Sequence, residues 1–292
     1  WVISSFQEVS THDLSRWGKV LSERWEELQL VSNNNNNNNG SNYNNNTDIP
    51  LPPPSLTWVY QDRSNSNNVT THLMSGSIPM EPHIVGDSNG NSFIVNVMKK
   101  NFGLFLDMSN GRQWVQGFSS DKKVLNLFAY TCSFSIAAVR GGAFDITNID
   151  MNRGAMKIGQ RNHELMENNS DRTKTTKVRF LVHNIFKSWG KLTKLGPFDI
   201  IICDPPSYQK GSFVAKSDYA KVIRRLPTLL TSEGYALLCL NAPELDIQFL
   251  MDTVQNETSG KLQFVKLLPN PKAYLPIKYP EKGLKVLLYR RD

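Results

Sequence analysis

Four apolar runs in this chain end on groups able to hold a ligand. The most pointed is "FDIIICDPPSYQKG", Phe198 to Gly211, where a run of strand character closes on Asp204, two prolines and then Tyr208. Asp204 and the carbonyl of Pro205 are hydrogen-bond acceptors, and the Pro-Pro pair fixes their direction by holding φ near −65°. The Tyr208 ring offers a face on which a planar base stacks. Together they suit holding an amine or a base edge toward a methyl donor. A tight turn with Pro at a helix start uses the same residues, but it does not explain why the stretch falls beside three other strand ends of chemical character.

The first of those is "VLNLFAYTCSFS", where Tyr130, Thr131, Cys132 and Ser133 join strand to helix. Backbone N–H groups at a helix N-terminus meet nucleotide-like ligands in this position. The three-glycine dinucleotide fingerprint is missing, and bulky Tyr130 and Thr131 hinder the close approach a pyrophosphate needs. A cofactor without phosphates suits this loop. About 20 residues on, "ITNIDMN" ends on Asp150, placed to accept from ribose hydroxyls; the competing reading is an N-cap for the helix starting near Asn152. In "FLVHNIF", Asn184 is placed for an adenine edge and Ile185 for packing on the ring.

Positioning such groups requires a sheet. Strand patterns fall at 124–129, 145–150, 178–182, 199–203, 234–240, 262–268 and 284–289, and helical patterns near 133–141, 152–167, 185–194, 216–231 and 243–256. Strict alternation predicts right-handed crossovers, hence an open parallel sheet covered on both faces, with ligands outside the carboxyl ends of its strands. Only "PNPKAYLPIKYPEKG" separates the last two strands, so the final one is free to return antiparallel. Upstream, Asp13 to Val31 repeats apolar residues at Leu14, Trp17, Val20, Leu21, Trp25 and Leu28, the spacing of one helix face. The organisation expected is a helical segment over 1–31, a disordered Asn/Pro-rich insertion over 32–56, a small α+β module over 57–118 and a catalytic-type domain over 119–292. In the module, "SLTWVYQDR" and "NSFIVNVMKK" read as strands with turn chemistry in "VGDSNGNS", and Asp107 and Arg112 flank a turn in "FGLFLDMSNGRQWV".

No run reaches the roughly 18–20 apolar residues that cross a bilayer. Cys132, Cys203 and Cys239 are widely spaced and odd in number, which argues against a disulfide framework or a zinc site. The compartment reads as reducing and intracellular; cytoplasm or organelle is left open, because the chain opens on Trp1 rather than methionine. Of the net charge of +7, the basic surplus lies in residues 99–292, with 29 Lys and Arg against 17 Asp and Glu. A phosphate backbone is attracted to such a surface, although solvated lysine faces give the same surplus.

"VLNLFAYTCSFS", "NIDMN", "FDIIICDPPSYQKG" and "YPEKGLKVLLYRR" together resemble class I S-adenosylmethionine-dependent methyltransferases, in particular the bacterial large-subunit ribosomal RNA base methyltransferases. "FGLFLDMSNGRQWV" resembles the segment that precedes the catalytic domain in that group. The resemblance spans roughly Trp58 to Asp292. It implies a seven-stranded Rossmann-like sheet with the last strand antiparallel, a small N-terminal β-rich module, S-adenosyl-L-methionine as cofactor, and RNA, chiefly ribosomal, as partner. It also implies a cofactor site of Tyr130, Thr131, Cys132, Ser133, Asp150, Met151, Asn184, Ile185, Asp204, Asp107 and Arg112, and a catalytic set of Asp204, Pro205, Tyr208 and Asn241, with no metal. Cys132 stands where the group has glycine, Asn184 where it has aspartate, and Ser109 where it has a first arginine. Carbon-5 methylation of cytosine needs a cysteine nucleophile. That position falls on Asn241, with Cys239 two residues earlier, so nitrogen methylation is expected. A protein or small-molecule acceptor, and a non-catalytic binding module that keeps the fold, are the alternatives.

Overall fold

A computed structural model describes residues 2–5, 9–38, 56–65, 68–78, 83–167, 176–209, 211–272 and 280–292. They form two compact units, one of residues 1–83 and 95–102 and one of 84–94 and 103–292. In the first, strand β1 (Val2–Ser5) is followed by helix α1 (Thr11–Asn38) and strands β2 (Trp58–Asp62) and β3 (Thr70–Ser75). β1 pairs parallel to β2, and β3 pairs antiparallel to it. The stripe read in the sequence is the buried one: Leu14, Trp17, Leu21 and Trp25 pack with Trp58 and Tyr60, while Val20 lies off it and is exposed. α1 runs on to Asn38, into the Asn-rich tract. The rest of that tract, 39–55, lies outside the described residues.

The second unit opens on a hairpin of β4 (His83–Gly86, whose first residue falls in the other unit) and β5 (Ser92–Val95). Its turn is the expected Asn/Gly one: the Asp87 carboxylate accepts from the N–H groups of Asn89 and Asn91, and Gly90 adopts φ +78°. A 3₁₀ turn at Leu106–Met108 then leads straight into α2 (Ser109–Phe118). Arg112 therefore sits inside a helix rather than beside a turn; "SNG" has turn composition, but burial of Trp114 and Val115 makes the segment helical.

There follow β6 (Lys123–Leu127), α3 (Ser133–Arg140), β7 (Asp145–Asp150), α4 (Arg153–Glu167), β8 (Lys177–Val182), a 3₁₀ turn with α5 (Trp189–Leu195), and β9 (Phe198–Cys203). A two-residue ribbon, β10 (Tyr208–Gln209) and β11 (Phe213–Val214), precedes α6 (Ala215–Ile223), α7 (Leu226–Leu229), β12 (Leu230–Leu240), α8 (Ile247–Thr258), β13 (Leu262–Leu268) and β14 (Lys285–Arg291). The helix expected over 216–231 breaks at Arg224–Arg225, with a proline early in α7. Leu230 already pairs with Phe198 as strand.

The seven-stranded sheet has the order β13-β14-β12-β9-β6-β7-β8. All pairs are parallel except those of β14, which runs antiparallel between β12 and β13. β6 to β8 build outward in one direction and β9 restarts on the other side of β6, which makes the β6/β9 boundary the switch point where ligands enter such sheets. One face is packed by α5 to α8 around Leu125, Leu127, Ile201, Leu238 and Tyr219. On the other, Gly111 of α2 lies against Phe134 of α3 and Leu237 of β12; a Cβ at that glycine would sit 3.3 Å from the Phe134 ring.

Candidate active site at the carboxyl rim of the sheet

The β6–α3 loop holds an unusual backbone. Phe128, Tyr130 and Cys132 all have positive φ, 56°, 47° and 64°, and none is glycine. Each left-handed residue of this kind costs on the order of 1–2 kcal/mol, so the loop persists because its surroundings over-determine it. The Tyr130 N–H donates to Asp150 Oδ2 at 2.9 Å. Thr131 Oγ1 donates to the Gly103 carbonyl at 2.6 Å, and Asn162 of α4 donates to the Thr131 carbonyl at 3.0 Å while accepting from the Ile94 N–H at 2.8 Å. The fully buried Cys132 side chain points at α4, its Sγ 3.9 Å from Met156 Sδ. It fits there because position 159 is glycine, where a Cβ would meet that sulfur at 2.5 Å. The cysteine that replaces a glycine of the family thus turns its side chain into the protein interior.

Asp150 is half-buried at the end of β7, and its second oxygen accepts from the Asn152 N–H at 2.7 Å. It does not cap α4: Asn152 does, its Oδ1 accepting from the Ala155 N–H at 3.0 Å. Each carboxylate oxygen has two acceptor directions, so two remain for a ribose diol. With the N–H groups of Tyr130 and Cys132 already committed, to Asp150 and to the Ala129 carbonyl, the loop offers a ligand chiefly the first turn of α3 from Ser133. Met151 is exposed beside Asp150. The Asp150 carbonyl accepts from the His183 N–H at 3.1 Å, which brings the β8 end, with Asn184, next to it. Asn184 Oδ1 caps its own 3₁₀ turn, accepting from Phe186 N–H at 2.9 Å, and Ile185 is buried in the core cluster. These rim residues have the chemistry of a site for a nucleoside lacking phosphates.

Across the switch point lies the end of β9. Burial, helped by Asp107 and opposed by Arg112, pushes the Asp204 carboxyl up to about 7. Asp107 is itself raised by burial and pulled down by Arg112. The Arg112 guanidinium is buried, donates to the Phe105 carbonyl at 2.7 Å and lies 5.6 Å from the Phe93 ring centre. Asp107, Arg112 and Asp204 are therefore within electrostatic reach of one another. Pro205 is buried, and Tyr208 is 66% exposed on the ribbon. Asn241, at the end of β12, is also exposed. Cys239 is fully buried, and that burial lifts its thiol well above the ordinary range, so it holds no thiolate at neutral pH.

Three residues that spacing did not single out hold this rim together. Phe213 is buried, with its ring 5.1 Å from Phe128 of the β6 loop and stacked 6.3 Å from Phe186 after β8; it roots the Tyr208 ribbon on the loops after β6 and β8. The Tyr219 hydroxyl donates to the Cys239 carbonyl at 2.8 Å, with the Cys203 carbonyl at 3.3 Å, clamping the ends of β9 and β12. Lys285 Nζ, buried at the start of β14, donates to the Ala242 carbonyl at 3.1 Å and braces the loop after Asn241. Tyr219 alone had a local signal, an apolar-spaced aromatic on a helix.

Comparison with known proteins gives the family. A family model for S-adenosylmethionine-dependent methyltransferases matches residues 55–290. Ribosomal RNA large subunit methyltransferase I of Aeromonas hydrophila is 30% identical over 188 residues, 63% of this chain and 46% of that protein. Ribosomal RNA large subunit methyltransferase K/L of Psychrobacter cryohalolentis is 36% identical over 137 residues, 45% of this chain and 17% of that one. The chain thus spans about half the length, or less, of these relatives. Among solved structures, the methyltransferase SMU.776 in complex with SAH superposes with a TM-score of 0.70 at 26% identity, covering 80% of this chain and 61% of its own. With strand order and family model in agreement, this chain belongs to the S-adenosylmethionine-dependent methyltransferase family.

Proposed function

We propose that this protein transfers a methyl group from S-adenosylmethionine to a nitrogen of an RNA base, with ribosomal RNA as the substrate class. S-adenosylmethionine, when bound, would supply an electrophilic methyl group on a sulfonium. Asp150 receives the ribose hydroxyls, Met151, Asn184 and Ile185 border the adenine, and the first turn of α3 with Asp107 and Arg112 lines the amino-acid end. Asp204 and the Pro205 carbonyl accept from the acceptor's amine hydrogens and so aim its lone pair, Tyr208 stacks on the base, and Asn241 closes the opposite edge. Positioning carries most of such a reaction, because a nitrogen lone pair needs no prior covalent activation.

The observation that carries the reading is that Asp204 and Asn241 follow the ends of the adjacent parallel strands β9 and β12, whose Cys203 and Cys239 carbonyls Tyr219 ties together, with burial raising the Asp204 carboxyl. Asp204 is the group proposed to accept the proton the nitrogen sheds on gaining its methyl group. The names of the relatives, both ribosomal RNA methyltransferases, and the basic surplus of residues 99–292 support RNA. Nucleoside mass spectrometry of RNA from cells lacking the protein tests this: one missing N-methylated nucleoside is expected, restored by the wild type and not by Asp204→Ala. An unchanged nucleoside profile, with labelled methyl instead appearing on protein or a small molecule, overturns the RNA assignment.

A further inference from the structure

We propose that the edge of the sheet at β8 is the surface on which an RNA phosphate backbone docks, gripped by two basic rows that flank the cofactor rim. This deepens the RNA reading above and rests on it. The first row is on α4, where Arg153, Lys157 and Arg161 recur every four residues and are all exposed. The second follows β8, with His183, Lys187, Lys191 and Lys194 at nearly the same spacing and all exposed. α4 is the crossover from β7 to β8, and α5 leaves β8 on the face packed by α6 to α8, so the rows lie on either side of the same edge. Lys191 Nζ lies 3.4 Å from His183 Nε2, which ties the second row to the β8 end. His183 in turn bonds the Asp150 carbonyl, which places the top of both rows at the rim.

Some exposed cations elsewhere among the described residues are neutralised in ion pairs: Lys19 with Glu23, Lys221 with Asp218, Arg224 with Glu257, Arg290 with Glu233 and Arg24 with Glu27. Among the described residues, none of the six Lys and Arg of the two rows is in an ion pair, and Glu164 is the one acid described as exposed on α4. Successive members of a row lie about 6 Å apart along a helix, close to the spacing of phosphates along a strand. Unpaired cations at that spacing release counterions when they neutralise phosphates, and the resulting affinity is steep in salt and indifferent to sequence. A protein partner is the competing occupant, and the experiment separates the two.

The test uses the full chain and an unmodified 20-base-pair hairpin RNA, with binding followed by fluorescence anisotropy between 50 and 200 mM KCl. Wild type is expected to bind with a steep salt slope. The triple variants Arg153→Gln/Lys157→Gln/Arg161→Gln and Lys187→Gln/Lys191→Gln/Lys194→Gln are each expected to bind at least tenfold more weakly at 50 mM, with the slope reduced by about 2. The pair Lys221→Gln/Arg224→Gln, on the far side of the same helical layer, is expected to leave both unchanged. Either row variant failing to fold leaves the other as the test, and S-adenosylmethionine binding by each reports that the fold is intact. Wild-type affinity and slope in both row variants overturn the surface. Wild type that binds S-adenosylmethionine but no RNA overturns the surface and the RNA acceptor together and favours a protein partner. Loss of cofactor binding in the wild type itself defeats the methyltransferase reading instead.

Discussion

Burial lifts Asp204 to about 7, far above an unfolded aspartate, and this single shift has opposite consequences for folding and for turnover. Below about pH 4 the group is protonated in both states and is neutral in its effect. Between pH 4 and 7 the unfolded chain ionises first, so stability falls as pH rises, and the loss is complete above 7, at roughly 3–4 kcal/mol as an upper limit. Turnover is expected to run the other way if Asp204 is the proposed proton acceptor, since the carboxylate is the form that accepts: the rate would rise about tenfold per pH unit below 7 and level above it. Asp204→Asn is therefore expected to raise the melting temperature at pH 8 but not at pH 4, to lower methyl transfer by about 100-fold, and to remove the limb near 7. An unchanged pH profile in that variant places the proton acceptor elsewhere. Cys239 gives the converse prediction. Its thiol is buried and lifted away from ionisation, so Cys239→Ala is expected to keep activity within about threefold, and denaturing gels of wild type with substrate RNA are expected to show no covalent adduct. A trapped adduct lost in the variant restores carbon-5 chemistry.

At the scale of elements, the β6–α3 loop and α4 behave as one unit, because the Cys132 side chain occupies the space that Gly159 leaves. A methyl group at 159 meets the Cys132 sulfur at 2.5 Å and the Thr131 carbonyl carbon at 3.3 Å. Gly159→Ala is thus expected to destabilise by about 1–3 kcal/mol through overpacking. Adding Cys132→Gly removes the first clash and relieves one left-handed residue, so the double variant is expected to recover most, but not all, of the loss in urea unfolding; simple additivity of the two changes rejects the coupling. This pairing also shows where sequence reading stops. The seven strands were legible because alternation of apolar runs with helix-period segments is a local signal, and the rim acids and asparagines because they end those runs. The left-handed conformations of Phe128, Tyr130 and Cys132 were not, since nothing in those residue types announces positive φ and glycine is its usual mark. Phe213 was hidden for another reason: its role lies in contacts with Phe128 and Phe186, far off in sequence. β3 escaped because its side chains are mostly exposed and give no alternation.

On the scale of the whole molecule, every residue assigned to the cofactor comes from the larger compact unit, on five separate segments between Asp107 and Asp204. A ligand that needs all of them binds only when that unit is folded, so it must stabilise it by RT ln(1 + [L]/Kd). S-adenosylhomocysteine at 100 times its Kd is expected to contribute about 2.7 kcal/mol, raising the corresponding melting transition by about 5–11 °C for a unit of this size. Asp150 is the sharpest control. Its carboxylate ties the Tyr130 and Asn152 N–H groups, and Asp150→Ala is expected to lower the melting temperature of the free protein by removing both bonds. The same change removes charge-assisted hydrogen bonds to the ribose, worth about 1.5–3 kcal/mol, which weakens ligand binding by about 30-fold. At the same ligand concentration, stabilisation of the variant then falls below about 1 kcal/mol. Calorimetric melts of both proteins, with and without ligand, separate the two losses, because the first appears in the free protein and the second only in the ligand-induced shift. An equal ligand-induced shift in both proteins removes Asp150 from the cofactor site and leaves it a purely structural anchor of the β6–α3 loop.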